Sequence, residues 1–346
     1  MAVREHFGAA GKGNGSRVFG WLFFAAAPIV CILISLTIGQ YPISTKDIFR
    51  ILIGRALGME ADWPALMETL LLNVRLPRIM ASALIGAALS ASGAAFQAIF
   101  RNPLASPYTL GVSNGAGFGA AMAVMFFGSA WSIQILATLG GVVSVVMAFI
   151  LSGRARYSAI ALVLAGIIVG AFFSSLISMV KFIADPYEKL PAIVFWLMGS
   201  LATVNLGSLF FATPFFLAGM VVLLAYRWKL NVLSMGDEEA ASFGIDVARE
   251  RVIVIFCCTI LTAAAVSISG IIGWVGLVIP HLGRAIVGPD LRKLLPACIS
   301  LGASYLLVID DLCRALTSVE IPLGVVTAIV GAPIFGYFMM REKTGW

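Results

Sequence analysis

Residues 79–100, IMASALIGAALSASGAAFQAIF, run for twenty-two positions without a side chain that can ionise. At about 1.5 Å of rise per residue, a helix of that length crosses the roughly 30 Å hydrocarbon core of a bilayer. The pattern recurs. Apolar windows also cover 18–39, 108–127, 131–152, 157–183, 208–226, 252–268, 271–287, 294–313 and 322–340, which makes ten candidate spans with only loop-sized connections between them. A chain of 346 residues that is 60% hydrophobic and 12% charged has too little polar surface to cover a soluble globule. The expected fold class is therefore an all-α integral membrane protein of about ten transmembrane helices. Residues 18–346 would form one transmembrane domain behind a short cytoplasmic tail at 1–17. The stretch Val18 to Ile38 is too long for a signal-peptide core and is followed by QYPISTKD rather than a small-residue cleavage site, so it is read as a retained first span. AIVFWLMGSL at 192–201 is too short to cross and is expected to be a re-entrant or interfacial helix.

The charge pattern orients this bundle. With the amino terminus placed in the cytoplasm, fifteen of the twenty-three lysines and arginines fall on the inner side. The bias of basic residues toward cytoplasmic loops favours that arrangement, with both termini inside. Eight lie outside, among them Arg75, Arg78 and Arg314, and these need a reason. The formal charge of +6 comes from basic residues scattered singly or in pairs, without a basic face, so no nucleic-acid partner is expected.

Several chemistries are excluded or weakly supported. GAAGKGNG at 8–15 places Gly13 after its lysine and is no phosphate-binding loop, and HExxH is absent. His281, one of two histidines, has no second ligand at a suitable spacing and is read as a structural residue. The five cysteines lie in or beside apolar segments without the spacing of a metal site. No metal and no cofactor are expected. The only acids inside a span, Asp310 and Asp311, lie near an outer end, which weighs against a proton-coupled secondary transporter, the alternative reading. An integral membrane enzyme would need a converging nucleophile, metal cluster or carboxylate pair, and none is evident.

Small residues recur at four-residue spacing: Ser82, Gly86, Ser90, Ala94 and Ala98; Gly111, Gly115 and Gly119; Gly166, Gly170, Ser174 and Ser178. Such ridges let helices in lipid approach closely, and packing is the preferred reading over substrate contact. The most polar continuous stretch, KLNVLSMGDEEAASFGIDVARER at 229–251, encodes a short helix: Ser234 or Asp237 can cap it, Glu238 and Glu239 suit its first turn, and Gly244 can end it. It is read as cytoplasmic, either a solvated helix or a docking surface for a soluble partner. At the inner end of the second window, Pro103 and Pro107 in RNPLASP forbid continued helix and fix a turn.

RLPR at 75–78, GAALSASGAAFQAIFRNPLASPYTLGVSNGAG at 86–117, WLMGS at 196–200, GDEEAASFGI at 236–245, SGIIGWVGLVIPHLGR at 269–284 and IPLGVVTAIVGAPIF at 321–335 together resemble the membrane permeases of ABC importers for cobalamin, haem and ferric siderophores. The resemblance runs from about residue 18 to the C-terminus in the family's order. Trp274 stands where a phenylalanine is commoner, and Leu291 replaces a usual histidine.

The resemblance implies a type II ABC importer permease fold in a prokaryotic cytoplasmic (inner) membrane. It further implies a homodimer with a second permease copy, two ATP-binding subunits inside, and a periplasmic or lipid-anchored substrate-binding protein outside. ATP hydrolysis would belong to the separate subunits, so the chain itself is not expected to be an enzyme. Arg75, Arg78 and Arg314 would dock carboxylates of the binding protein, for which the planar guanidinium is suited. For Arg314, neutralisation of Asp310 or Asp311 one helical turn away is an equal alternative. Asn102 and Leu104, with Ser158 and Ala159, would form the cytoplasmic gate. Asp237, Glu238, Glu239, Ala240 and Gly244 would belong to the coupling segment, the acids making polar contacts with the ATPase and the small residues allowing close approach. The expected cargo is a ferric siderophore or haem-like compound, with cobalamin also compatible. Related permeases carry molybdate or tungstate, so an oxyanion cargo is the alternative within the same class.

Overall fold

The computed structural model describes residues 14–153, 158–317 and 319–341. Positions 1–13 of the expected tail, together with Arg154, Arg156 and Lys343 from the charge count, lie outside the described residues. The elements are all helical: α1 (Asn14–Thr37), α2 (Thr45–Ala56), α3 (Ala65–Thr69), a π-helical turn (Leu70–Arg75), α4 (Leu76–Phe100), α5 (Val112–Phe126), α6 (Ala130–Ser152), α7 (Ala159–Ile183), α8 (Lys189–Leu197), α9 (Leu206–Met235), α10 (Asp237–Ser242), α11 (Val247–Ser269), α12 (Val275–Val287), α13 (Leu291–Ala315) and α14 (Leu323–Arg341). Among the described residues, six segments are long and apolar enough to cross a membrane, and four shorter apolar helices, at 21–37, 112–126, 275–287 and 323–338, fall on the remaining expected windows. The short stretch near 192–201 is the nine-residue α8.

α3, the π turn and α4 form one continuous apolar segment, Ala65–Phe100. The widened turn ends two residues before Pro77, whose ring cannot accept a regular carbonyl four residues back and which donates no hydrogen bond. From there α4 is buried along almost its whole length and forms the axis of the bundle. It packs against α13, α9, α12 and α11, whereas α6, α7 and α9 turn most of their length outward. Large exposed side chains such as Ile160, Ile168, Phe172 and Phe210 cover those outward faces, the surface expected toward lipid or another membrane chain.

The small-residue ridges explain the close crossings. A Cβ on Gly86 would stand 2.1 Å from the Gly302 carbonyl oxygen, and one on Gly119 would stand 1.9 Å from that of Leu136. These contacts bring α4 onto α13 and α5 onto α6 at backbone distance, where dispersion contacts replace the hydrophobic drive that lipid does not supply. Ser90 adds a polar tie, donating to the Cys298 carbonyl across the crossing at 2.7 Å. In the third ridge, Gly166 meets the Thr109 carbonyl, whereas Ser174 and Ser178 are exposed.

Candidate functional site

The polar residues collect at the two ends of the bundle. At one end the carboxyl end of α1, the start of α4, the end of α13 and the α13–α14 connection enclose a cluster of buried charge. Arg78 donates through Nε and Nη2 to Asp310 at 2.9–3.1 Å and through Nη1 to Glu320 at 2.6 Å. Arg314 lies 3.2 Å from Asp310 through Nε, pairs with Asp311 through Nη2, and donates to the Ile38 carbonyl. Ser35 donates to Asp311 at 2.6 Å. Arg75 donates to the backbone carbonyls of Leu36 and Tyr41. Arg75, Arg78 and Arg314 are each at most 6% exposed. The structure thus brings the three arginines together but seats them inside the chain, against its own carboxylates and carbonyls. Arg314 pairs with both candidate aspartates, and Arg78 with one of them. On the same end, exposed Arg50 pairs with Asp62 and Arg55 with Glu68, so these basic residues also have acidic partners.

At the opposite end α4 stops at Arg101, whose left-handed backbone (φ 48°) reverses the chain. The turn after it is rigid: Asn102 N–H donates to the Gln97 carbonyl, Leu104 N–H to Asn102 Oδ1 at 2.9 Å, and Ala105 N–H to the Asn102 carbonyl. Asn102 and Ala159 line one cavity of about 190 Å³ with Phe100 and Val163. A second cavity of about 370 Å³ extends from Asn102 and Leu104 past Tyr108 and Asn114 to Gly166 and Gly170 on α7. None of its lining residues carries a charge. Ser158 caps α7, its hydroxyl accepting from Ala161 N–H at 3.3 Å. Of the four gate candidates, Asn102, Leu104 and Ala159 therefore face shared space, and Ser158 sits at the helix cap beside it.

The 229–251 segment lies beside this turn. α9 runs to Met235, Gly236 breaks it with a backbone (φ 150°) that favours glycine, and α10 follows. Neither Ser234 nor Asp237 caps α10. Gly236 occupies the cap without a side-chain bond, and the Glu239 carboxylate folds back into the space that a Cβ at 236 would take. Gly244 (φ 75°) ends the helix as expected, and Asp246 caps α11, accepting from Arg249 N–H. Asp237 bonds Arg251 at 2.8 Å and lies 3.9 Å from Arg101. Ala240 is fully buried, so it lets α10 lie on its own chain rather than facing outward. The outward face consists of Glu238, Glu239, Ala241 and Gly244, joined by Met235 and Phe243, which are 58% and 59% exposed.

The same end carries a further tie. Asn231 on α9 donates to Asp290 at 2.7 Å and accepts from Leu291 N–H, joining α9 to the start of α13. These bonds and that from Arg292 N–H hold the Asp290 carboxyl below its ordinary range. His281 is buried against the rings of Phe335 and Phe338, centroids 5.4–5.5 Å away. Among the described residues, no three His, Cys, Asp or Glu side chains are grouped to hold a metal ion.

A bundle of this layout, with a helical excursion between two spans at one end, matches a known family. The model of the FecCD transport family covers residues 27–341. The chain belongs to the FecCD transport family. It is 41% identical over 319 residues to the molybdate import system permease protein MolB of Haemophilus influenzae, covering 92% of this chain and 94% of that protein. An iron chelatin transport system permease protein of Helicobacter pylori is 38% identical over 277 residues, 80% of this chain and 84% of that one. Among solved structures, an inward-facing metal-chelate type ABC transporter superposes with a TM-score of 0.84 at 38% identity, over 95% of this chain and 100% of that chain. This FecCD chain is accordingly a multi-pass ABC importer permease with the type II fold.

Sequence reasoning missed three features of the site. Glu320 had no neighbour in sequence that marked it as the partner of Arg78, 242 residues away. Phe243 and Met235 carried a signal that was available: large apolar residues inside the most polar stretch of the chain. Asp237 read as an outward contact, and its pairing with Arg251 follows only from the turn at Gly244, which folds α11 back alongside α10.

Proposed function

We propose that this FecCD permease is the membrane half of an ATP-driven importer that carries a metal-bearing solute, a ferric siderophore or haem-like chelate, into the cytoplasm by alternating access. The observation that carries this reading is the cavity of about 370 Å³ between the turn after α4 and α7, lined without a charged side chain. Such a passage can let a large chelate through without holding it, while selection is left to a binding protein outside. The end bearing Arg101 and α10 faces the cytoplasm of a prokaryotic inner membrane, in keeping with the distribution of basic residues. Asn102, Leu104, Ser158 and Ala159 form its inner gate.

Two ATP-binding subunits dock on the outward face of the α10 segment. There Glu238 and Glu239 give polar contacts, Phe243 and Met235 apolar ones, and Ala241 and Gly244 close approach. A second permease copy lies against the outward face of α7, where Ser174 and Ser178 continue the small-residue ridge. Outside, a binding protein meets the cluster of Arg75, Arg78 and Arg314. Their present partners must be shared or exchanged for that purpose, and Glu320, whose side chain is 32% exposed, is the exchangeable one.

A molybdate-class oxyanion is the second reading, favoured by the 41% identity to a permease named for molybdate. Calorimetry of the binding protein encoded with this chain, against a ferric siderophore, haemin, cobalamin and molybdate, separates the two. Uptake into proteoliposomes should require that protein, the ATP-binding subunits and ATP. Accumulation by the permease alone on a proton gradient would refute the importer reading.

A further inference from the structure

The Asp237 carboxylate stands at a junction. A single oxygen, Oδ1, is 2.8 Å from Arg251 Nη2 and 3.9 Å from Arg101 Nη2. Arg251 is 3% exposed and belongs to α11, which is anchored in the bundle. Arg101 is the left-handed residue from which the 101–105 turn hangs, and the internal hydrogen bonds of that turn make it move as one piece. Asp237 itself is the first residue of α10. One carboxylate therefore belongs to the short cytoplasmic helix, bonds a buried anchor and lies within ion-pair distance of the turn that carries Asn102 and Leu104.

We propose that Asp237 is a positioning residue, an internal pin that transmits displacement of α10 to the 101–105 turn through Arg101, with Arg251 as its fixed side. This rests on the importer reading and adds to it a route through which the partner's motion reaches the inner mouth. A charge-assisted bond to Arg251 beside a longer ion pair to Arg101 suits the task, because two guanidinium groups near one carboxylate oxygen can trade strength as the distances change. Coupling between sites needs such a physically continuous element with more than one arrangement.

The test uses the permease co-purified with its ATP-binding subunits in proteoliposomes and needs no knowledge of the cargo. Leu104→Cys, at a position 57% exposed, reports on the turn through its rate of labelling by a soluble thiol reagent with and without ATP, against the background of the chain lacking that cysteine. In the Leu104→Cys chain, Asp237→Asn and Arg101→Gln should each reduce the ATP-dependent change in labelling per ATP hydrolysed by about two- to fivefold, the effect open to an ion pair nearly half exposed on both sides. ATP hydrolysis and the amount of co-purified ATPase should persist. Asp237→Glu should retain the response, and the double variant Asp237→Asn/Arg101→Gln should be no worse than either single one. An unchanged response in Asp237→Asn overturns the pin. So does loss of the co-purified ATPase in that variant, which would make Asp237 a direct partner contact. If the Leu104→Cys chain without further substitution neither retains the ATPase nor changes its labelling with ATP, the importer reading itself fails and takes the pin with it.

Discussion

Removing one member of the buried charge cluster around Asp310 should separate its structural role from a docking role. Arg78 and Arg314 pair with Asp310, Asp311 and Glu320, and Arg75 beside them bonds backbone carbonyls, so three arginines stand with three carboxylates and the cluster is formally neutral. Arg78→Met leaves it one negative charge in excess, with Asp310, 1% exposed at its side chain, held by Arg314 alone and Glu320 without a cation. Breaking a buried pair from one side costs about 3–5 kcal/mol, because the surviving charge stays desolvated. For a chain of this size that is on the order of 4–7 °C in the unfolding midpoint. The double variant Arg78→Met/Asp310→Leu removes both charges and should recover much of the loss, giving a favourable interaction term in the cycle. Thermal unfolding of the purified permease in detergent reads all three proteins, and affinity for the binding protein is measured alongside. A midpoint for Arg78→Met within a degree or two of the parent's, or a double variant showing simply the sum of both losses, would refute the structural role. A loss of affinity without a loss of stability would assign Arg78 to docking instead.

Three further outcomes follow from the geometry. Gly119→Val places a Cβ 1.9 Å from the Leu136 carbonyl oxygen; overpacking there should cost at least about 1–3 kcal/mol and lower the yield of folded protein in the membrane, and normal yield would show that α5 and α6 can separate freely. Phe243→Ser, at an exposed apolar side chain, should change stability by no more than about 0.5 kcal/mol while reducing co-purification of the ATP-binding subunits; loss of stability with an intact complex would reverse the assignment. Asp290 is held below its ordinary value of 3.8 in the folded chain, so the stability it contributes is present above that value and is lost as pH falls through the lower, folded one. The gap in midpoint between the parent and Asp290→Asn should therefore shrink on acidification below about pH 4, and a widening gap would contradict the bonds drawn to Asn231 and Arg292.

What could be read from the sequence was what is decided locally. Length and hydropathy are properties of a window, so all ten windows fall on apolar helices, and the four-residue spacing of Gly86, Gly115 and Gly119 marked crossings that the structure contains. α9 outran its window by nine residues because Arg227, Lys229 and Asn231 end an apolar run without ending a helix. α2 was missed since its residues alternate charge and hydrocarbon, and Ile48 and Ile51 become core only when Leu36 and Leu71 arrive from other segments. The cap of α10 falls on Gly236 because the break from α9 needs its φ of 150°, a backbone that glycine adopts readily, one residue before Asp237. Arg314 with Asp310 and Asp311 was legible at one-turn spacing, whereas Arg78 with Asp310 joins positions 232 apart and had no trace in either neighbourhood.

The two ends of the molecule are charged in different ways, and the difference bears on which end can move. At the end that holds Arg78 and Arg314 the Asp310 pairs are buried, and separating one of them leaves a charge with neither water nor a counter-ion, a cost of several kcal/mol. At the opposite end Arg101 and Asp237 are each nearly half exposed, so water replaces a lost partner and the pair is worth about 0–1 kcal/mol. Contacts of the second kind can be broken and remade by a partner pressing on a short helix, and the Asp310 pairs cannot without unpacking α4 from α13, which leaves the part-exposed Glu320 as the one exchangeable member of that cluster. The turn at 101–105 hangs from the weaker contact and borders the uncharged cavity. Displacement is therefore expected to begin at the 101–105 turn, with the Arg78–Asp310–Arg314 cluster serving as the fixed end against which the helices tilt.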